Sequence, residues 1–182
     1  VTVPRSFIYN GADLRFPNAH AISMGSRLTV VGEAETRGTR YLLLEDGSAL
    51  IARHLRPLSD PPAADYVAIA GLFLETPYLW GGKSGLGIDC SGLVQLSMAM
   101  AGQKAPRDSD MQASELGTPI AREDLQRGDL VFWKGHVALA LSPTRMIHAT
   151  AAYMAVVEEE IETAIARILR AGEGPVTHRR RL

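Results

Sequence analysis

The only cysteine of the chain, Cys90, stands in the stretch YLWGGKSGLGIDCSGLVQLSMAMAG, residues 78–102, between Asp89 and the small residues Ser91 and Gly92. A lone thiol has two readings, a small buried hydrophobe or a nucleophile. Asp89 and Ser91 are both good N-cap types. Leu93, Val94, Ser97, Met100 and Ala101 then fall on one helical face, which also carries Cys90, and Gly102 is a natural stop. A thiol at the start of such a helix feels the positive end of the macrodipole, which favours the thiolate. Position alone does not decide the matter, because a nucleophile of this kind also needs a base.

The second half of the sequence supplies two histidines. The run GDLVFWKGHVALALSPTRMIHATAAYMAVVEEEI reads as a meander of short strands over residues 129–133, 136–141, 145–150 and 154 to about 158. Pro143 suits the tight connection between the second and third of these. If the turn centres there, Leu141 lies opposite Arg145, position 136 faces 150 and position 138 faces 148. His136 and His148 then share a sheet face as diagonal neighbours, about 7–8 Å apart along the backbone. A slip of one residue would separate them. The small side chains of Ala138 and Ala140 are expected to leave room for the helix end above the same face.

A thiol at a helix N-terminus, a histidine on a strand and a second polar residue that orients it form a nucleophile, base and orienter arrangement. With the ordered motifs TPYLWGG, DCSGLVQ, APRDSDMQ, LQRGDLVFW, HVALAL and MIHA, residues 66 to about 170 resemble the NlpC-type papain-like cysteine peptidases of bacterial cell-wall metabolism. The resemblance implies an α+β catalytic domain of helices on an antiparallel sheet. It assigns Cys90 as nucleophile, His136 as base and His148 as its orienter. The Tyr78 hydroxyl would stand near the oxyanion, beside the backbone N–H of Cys90. One departure is His136-Val137-Ala138, where the family commonly has His-Val-Gly; the added methyl is expected to narrow the cleft.

The implied reaction is hydrolysis of the γ-D-glutamyl–diamino acid bond in murein-derived peptides, releasing L-Ala-γ-D-Glu from peptides with a free N-terminus. Asp89, Ser91 and Ser109 are the candidate acceptors for that terminal ammonium, since a buried ammonium is costly without them. No cofactor is implied. A metal reading of Cys90, His136 and His148 lacks the tightly spaced pairs of ordinary zinc sites. A catalytically silent wall-binding module, or an amidase or acyltransferase on the same scaffold, remains as the alternative.

The elements around this constellation divide the chain. Residues 1–58 hold short Val-, Ile-, Leu-, Thr- and Tyr-rich runs broken by glycine-containing turns, FIY, RLTVVGEAE, TRYLLLEDG and SALIARHL, and read as a small all-β barrel. Its place in front of the catalytic motifs resembles a bacterial Src-homology-3-like domain. Residues 59–65 are a proline-bearing linker, and residues 66–182 the catalytic domain, opened by a helical stripe over 66–75. Trp80 and Trp133 read as core or cleft wall, and Glu158–Glu160 as a solvated strand end or helix start.

A net charge of -1 leaves no footprint for nucleic acid, and HRRRL at residues 178–182 reads as a solvated tail. No apolar run approaches the roughly 18–20 residues of a membrane span. The partner expected is therefore a murein-derived peptide, and the oligomeric state is left open. No leader-like segment is visible near Val1, and the resemblance to peptidases that recycle murein peptides implies the cytoplasm of a bacterium. The periplasm or wall is the alternative if a leader preceded Val1.

Overall fold

The computed structural model describes all 182 residues, and the chain falls into two compact units, Val1–Pro61 with Ser84–Leu86, and Pro62–Lys83 with Gly87–Leu182. In the first unit, β1 (Arg5–Tyr9), β2 (Asn18–Ser23), β3 (Gly32–Thr36), β4 (Thr39–Leu43) and β5 (Ala49–Ile51) form an antiparallel sheet in the order β2-β1-β5-β4-β3. Ile8, Tyr41, Ala49 and Leu50 are its buried apolar side chains. The all-β character follows the expectation, but β2 and β3 are free edges and the sheet does not close into a barrel. Strand β2 lies over NAHAIS, which no sequence signal marked, because an edge strand with no buried face need not alternate. Residues 27–31, part of an expected strand, lie outside the sheet.

The second unit is α+β. Its first helix, α1 (Tyr66–Gly71), is capped by the Asp65 carboxylate, which accepts from the N–H groups of Val67 and Ala68. It stops short of the expected residue 75. Beyond Gly71 the chain turns, Glu75 takes a left-handed φ of 64°, and its N–H bonds the Val156 carbonyl. A two-stranded ribbon, β6 (Lys83–Ser84) and β7 (Gly87–Ile88), leads into α2 (Cys90–Met100), followed by α3 (Ser109–Glu115).

The main sheet contains β8 (Thr118–Pro119), β9 (Leu130–Trp133), β10 (His136–Ala140), β11 (Arg145–Thr150), β12 (Ala155–Glu160) and β13 (His178–Arg181), in the order β12-β11-β10-β9-β13-β8. Between β10 and β11, Leu139 faces Ile147 and Ala140 faces Met146, the register that sets Leu141 against Arg145. Helix α4 (Ile161–Arg170) begins where β12 ends.

Two expectations fail here for identifiable reasons. The basic C-terminal run is a strand rather than a solvated tail. Arg181 forms a two-pronged ion pair with the buried Asp129 (2.8 and 2.9 Å), and Arg180 donates to the Ala113 carbonyl. The space over Ala138 and Ala140 is also not left for α2. Both alanines pack in one apolar cluster with Met146 and with Ile161, Ala164 and Ile168 of α4. Alternation along the strand turns Val137 and Leu139 the other way, and α2 packs against β10 and β11. The methyl of Ala138 is thus a core contact and does not narrow a cleft.

Candidate active site

Helix α2 begins at Cys90 because Asp89 caps it. One carboxylate oxygen of Asp89 accepts from Gly92 N–H at 2.7 Å, and the other accepts from Gly81 N–H at 2.9 Å. The loop before the helix runs unusually close to its first turn. A Cβ on Gly92 would stand 2.4 Å from the Gly82 carbonyl oxygen, and Gly81 has a φ of 76°. Glycine is required at these points by contact and by backbone conformation.

Arg107 closes the same structure. Its guanidinium grips both oxygens of Asp89, at 2.9 and 2.6 Å, and donates to the Ser91 hydroxyl at 2.9 Å. Gln112, fully buried in α3, donates to the Ser91 carbonyl at 3.0 Å. The motif APRDSDMQ therefore acts through Arg107 and Gln112, which sequence reasoning passed over. Their partners lie 16 to 21 positions away in sequence, and no local periodicity reports them.

The side chains of Asp89 and Ser91, expected to accept a substrate ammonium, are thus also engaged in holding the loop and the helix start. A carboxylate offers about four lone-pair sites. Gly92, Gly81 and the two prongs of Arg107 occupy them, and the Ser91 hydroxyl is held between Arg107 and Asp89. Both side chains are buried and serve the loop and the helix start. Ser109, the third candidate, opens α3 half-buried, with its hydroxyl unengaged by the protein.

Cys90 is buried, and the backbone N–H groups of Val137, Ser91 and Cys90 itself favour its thiolate form. Val137 directly follows His136, so the thiol lies against the end of the strand that carries the expected base. Burial pushes the Cys90 thiol up from its ordinary value, and the negative Asp89 adds to this against the pull of the backbone N–H groups. The sequence favoured a thiolate from helix position, but in the folded chain desolvation outweighs the helix end.

The two histidines meet as the register requires. His136 Nε2 lies 2.8 Å from His148 Nδ1, and the ring centroids are 5.0 Å apart. His148 is almost wholly buried, and its Nε2 lies 2.7 Å from Glu159 Oε1. Arg167 of α4 donates to that same carboxylate oxygen and lies against the Tyr153 ring, 5.3 Å from its centroid. Burial holds the His136 imidazole down to about 3, with the positive charges of His148 and Arg167 acting in the same direction. Burial raises the Glu159 carboxyl, but the hydrogen bonds from His148 and Arg167 outweigh it and hold the group below the usual range.

Glu159 corrects the reading of Glu158–Glu160 as a solvated run. Along β12 alternate residues face opposite ways, and Glu159 is the one turned inward, with its side chain 9% exposed. The sequence signal was the alternation itself, masked by three identical residues.

Tyr78 is held by its N–H, which donates to the Met154 carbonyl at 2.9 Å, and its hydroxyl makes no bond within the protein. Burial raises the phenol, with further contributions from the negative forms of Cys90 and Asp89. Trp133 is core and packs against the His136 ring at 5.7 Å between centroids. Trp80 is not core, being 83% exposed.

The arrangement can move a proton from sulfur to imidazole. An ionised Glu159 can only accept, so the 2.7 Å contact puts a proton on His148 Nε2. His136 Nδ1 makes no hydrogen bond to the rest of the protein. An α+β fold with a thiol at a helix start and a paired imidazole on the adjoining strand defines a thiol–imidazole hydrolase site.

Comparison with known proteins gives the class its family. The NlpC/P60 family is matched over residues 75–168, just over half of the chain, and the chain belongs to that family. Among curated relatives, the γ-D-glutamyl-L-lysine dipeptidyl-peptidase of Bacillus cereus (strain ATCC 10987 / NRS 248) is 32% identical over 164 residues, covering 82% of this chain and 48% of the relative. The probable endopeptidase NlpC of Escherichia coli (strain K12) is 33% identical over 129 residues, 61% of this chain and 83% of the relative. The crystal structure of an NlpC/P60 family protein from Bacillus cereus ATCC 10987 superposes with a TM-score of 0.75 at 29% identity, covering 100% of this chain and 61% of that one. This chain thus spans about half the length of the first of these relatives.

Proposed function

We propose that the chain is a cysteine endopeptidase that hydrolyses the γ-D-glutamyl–diamino acid bond of murein-derived peptides and releases L-Ala-γ-D-Glu from peptides with a free N-terminus. The observation that carries this reading is the line from Cys90, beside Val137 N–H, through His136 to His148. His136 Nδ1 takes the thiol proton as Cys90 sulfur attacks the γ-carbonyl carbon. The oxyanion that forms meets the backbone N–H of Cys90 and the Tyr78 hydroxyl. As the tetrahedral species collapses, His136 returns the proton to the leaving amine and a thioester remains. Water, deprotonated by His136, then releases the dipeptide and restores the thiol.

The bond and the dipeptide product draw on the name of the Bacillus cereus relative, a γ-D-glutamyl-L-lysine dipeptidyl-peptidase. Asp89, Ser91 and Ser109 are the acceptors proposed for the terminal ammonium, with Ser109 the one of the three that carries no bond within the protein. The small β unit ahead of the peptidase unit is read as Src-homology-3-like. The compartment follows from the amine, because a free N-terminus suits peptides already released from the wall and hence the cytoplasm.

The test is mass spectrometry of products from L-Ala-γ-D-Glu-diamino acid peptides offered with a free and with an acetylated N-terminus. Release of L-Ala-γ-D-Glu from the free-amine peptide alone is the expected result. Cleavage at another bond refutes the assignment of the reaction, and equal cleavage of both peptides moves the site of action to the wall.

A further inference from the structure

We propose that Glu159 is a positioning residue of the reaction, whose carboxylate, shared with Arg167, fixes the tautomers of both histidines so that His136 turns a lone pair toward the Cys90 thiol. The inference rests on the peptidase reading of the site, but its geometry is independent of the substrate.

The constraint on the two rings starts at β12 and runs inward. An ionised carboxylate can only accept, so at 2.7 Å it requires a proton on His148 Nε2. A neutral His148 then has a lone pair on Nδ1, and the 2.8 Å contact to His136 Nε2 requires the proton to be on His136. The remaining nitrogen of His136, Nδ1, is left as the acceptor. Two hydrogen bonds thus carry one carboxylate's preference across two rings.

The same line fails if His148 takes a second proton. A cationic His148 has N–H on both nitrogens, so its Nδ1–H would point at His136 Nε2 and move the His136 proton to Nδ1, where no thiol proton can be accepted. Arg167 bonds the same Glu159 oxygen, so its positive guanidinium offsets the carboxylate beside His148. The charged and titratable groups facing His148 are His136 from β10, Glu159 from β12 and Arg167 from α4. A structural ion pair would need no histidine in line.

The decisive variant is Glu159→Gln, nearly the same in shape. Its amide can donate to His148 Nε2 and reverse both tautomers. Where a carboxylate touches the base directly, the wrong tautomer costs about four orders of magnitude in turnover. With one ring interposed, the expected loss is about 10- to 100-fold in kcat for peptide hydrolysis, with KM changed less than about twofold, and Glu159→Asp recovering part of it.

A second readout does not depend on activity. Nitrogen-15 shifts of the ring nitrogens in the full chain should place the proton of both His136 and His148 on Nε2, and Glu159→Gln should move it to Nδ1. Wild-type rings with Nδ1–H overturn the inference even if the variant does not fold. So does a Glu159→Gln protein with unchanged rings and unchanged kcat. A wild-type protein that shows both Nε2–H rings yet hydrolyses no peptide upholds this inference and counts against the peptidase reading instead.

Discussion

At Cys90 two opposing influences meet on one atom. Backbone N–H groups, with Val137 first among them, favour the thiolate, and removal from water disfavours it; burial wins and the thiol is raised. The neighbouring imidazole is displaced the opposite way, down to about 3, by burial and by the positive forms of His148 and Arg167. With the acid raised and the base lowered, the pair is neutral across the range between them, and proton transfer accompanies attack on substrate. The sign gives a measurable consequence for the free protein. Its iodoacetamide labelling rate should keep climbing with pH through and beyond the ordinary thiol range of about 8–9. A rate already flat from about pH 5 would mean a resting thiolate–imidazolium pair and would refute this account of the site.

At the scale of elements, the site depends on how closely the Gly81-Gly82 loop lies on the first turn of α2. In an ordinary helix, replacing glycine by alanine gains about 1 kcal/mol. At Gly92 the new Cβ would stand 2.4 Å from a backbone carbonyl oxygen and 2.9 Å from the capping carboxylate, neither of which can swing away freely. Gly92→Ala is therefore expected to destabilise the protein by about 1–3 kcal/mol, read from the urea midpoint, because overpacking reverses the propensity. A variant as stable as the wild type would show that the loop yields.

The same elements mark what a sequence can disclose. The meeting of His136 and His148 was legible because Pro143 fixes a turn and a turn fixes a register, and Asp89 and Gly102 announced the limits of α2. The Arg107 clamp was not, since it joins two loops and leaves no period. Nor was β13, whose arginines look solvated until Asp129 is found opposite Arg181. Glu159 lay between the two cases: alternation puts one of three consecutive glutamates inward, but only the finished sheet identifies which. α1 ends early because the chain must turn to bring Tyr78 to Met154.

For the molecule as a whole, every residue of the candidate site belongs to the second unit, between Tyr78 and Arg167, within the region matched by the NlpC/P60 family. The relay joins that unit's α2, three sheet strands and α4, so catalysis is expected to be a property of the folded sheet and not of any one loop. All of it is arranged around one sulfur atom. The most direct measurement is accordingly the turnover of an L-Ala-γ-D-Glu-diamino acid peptide by wild type and by Cys90→Ala at equal concentrations of folded protein. Loss of the nucleophile is expected to lower kcat by more than about a thousandfold. Substantial hydrolysis by Cys90→Ala would contradict the account, because the relay from Glu159 to His136 would then have no thiol to serve.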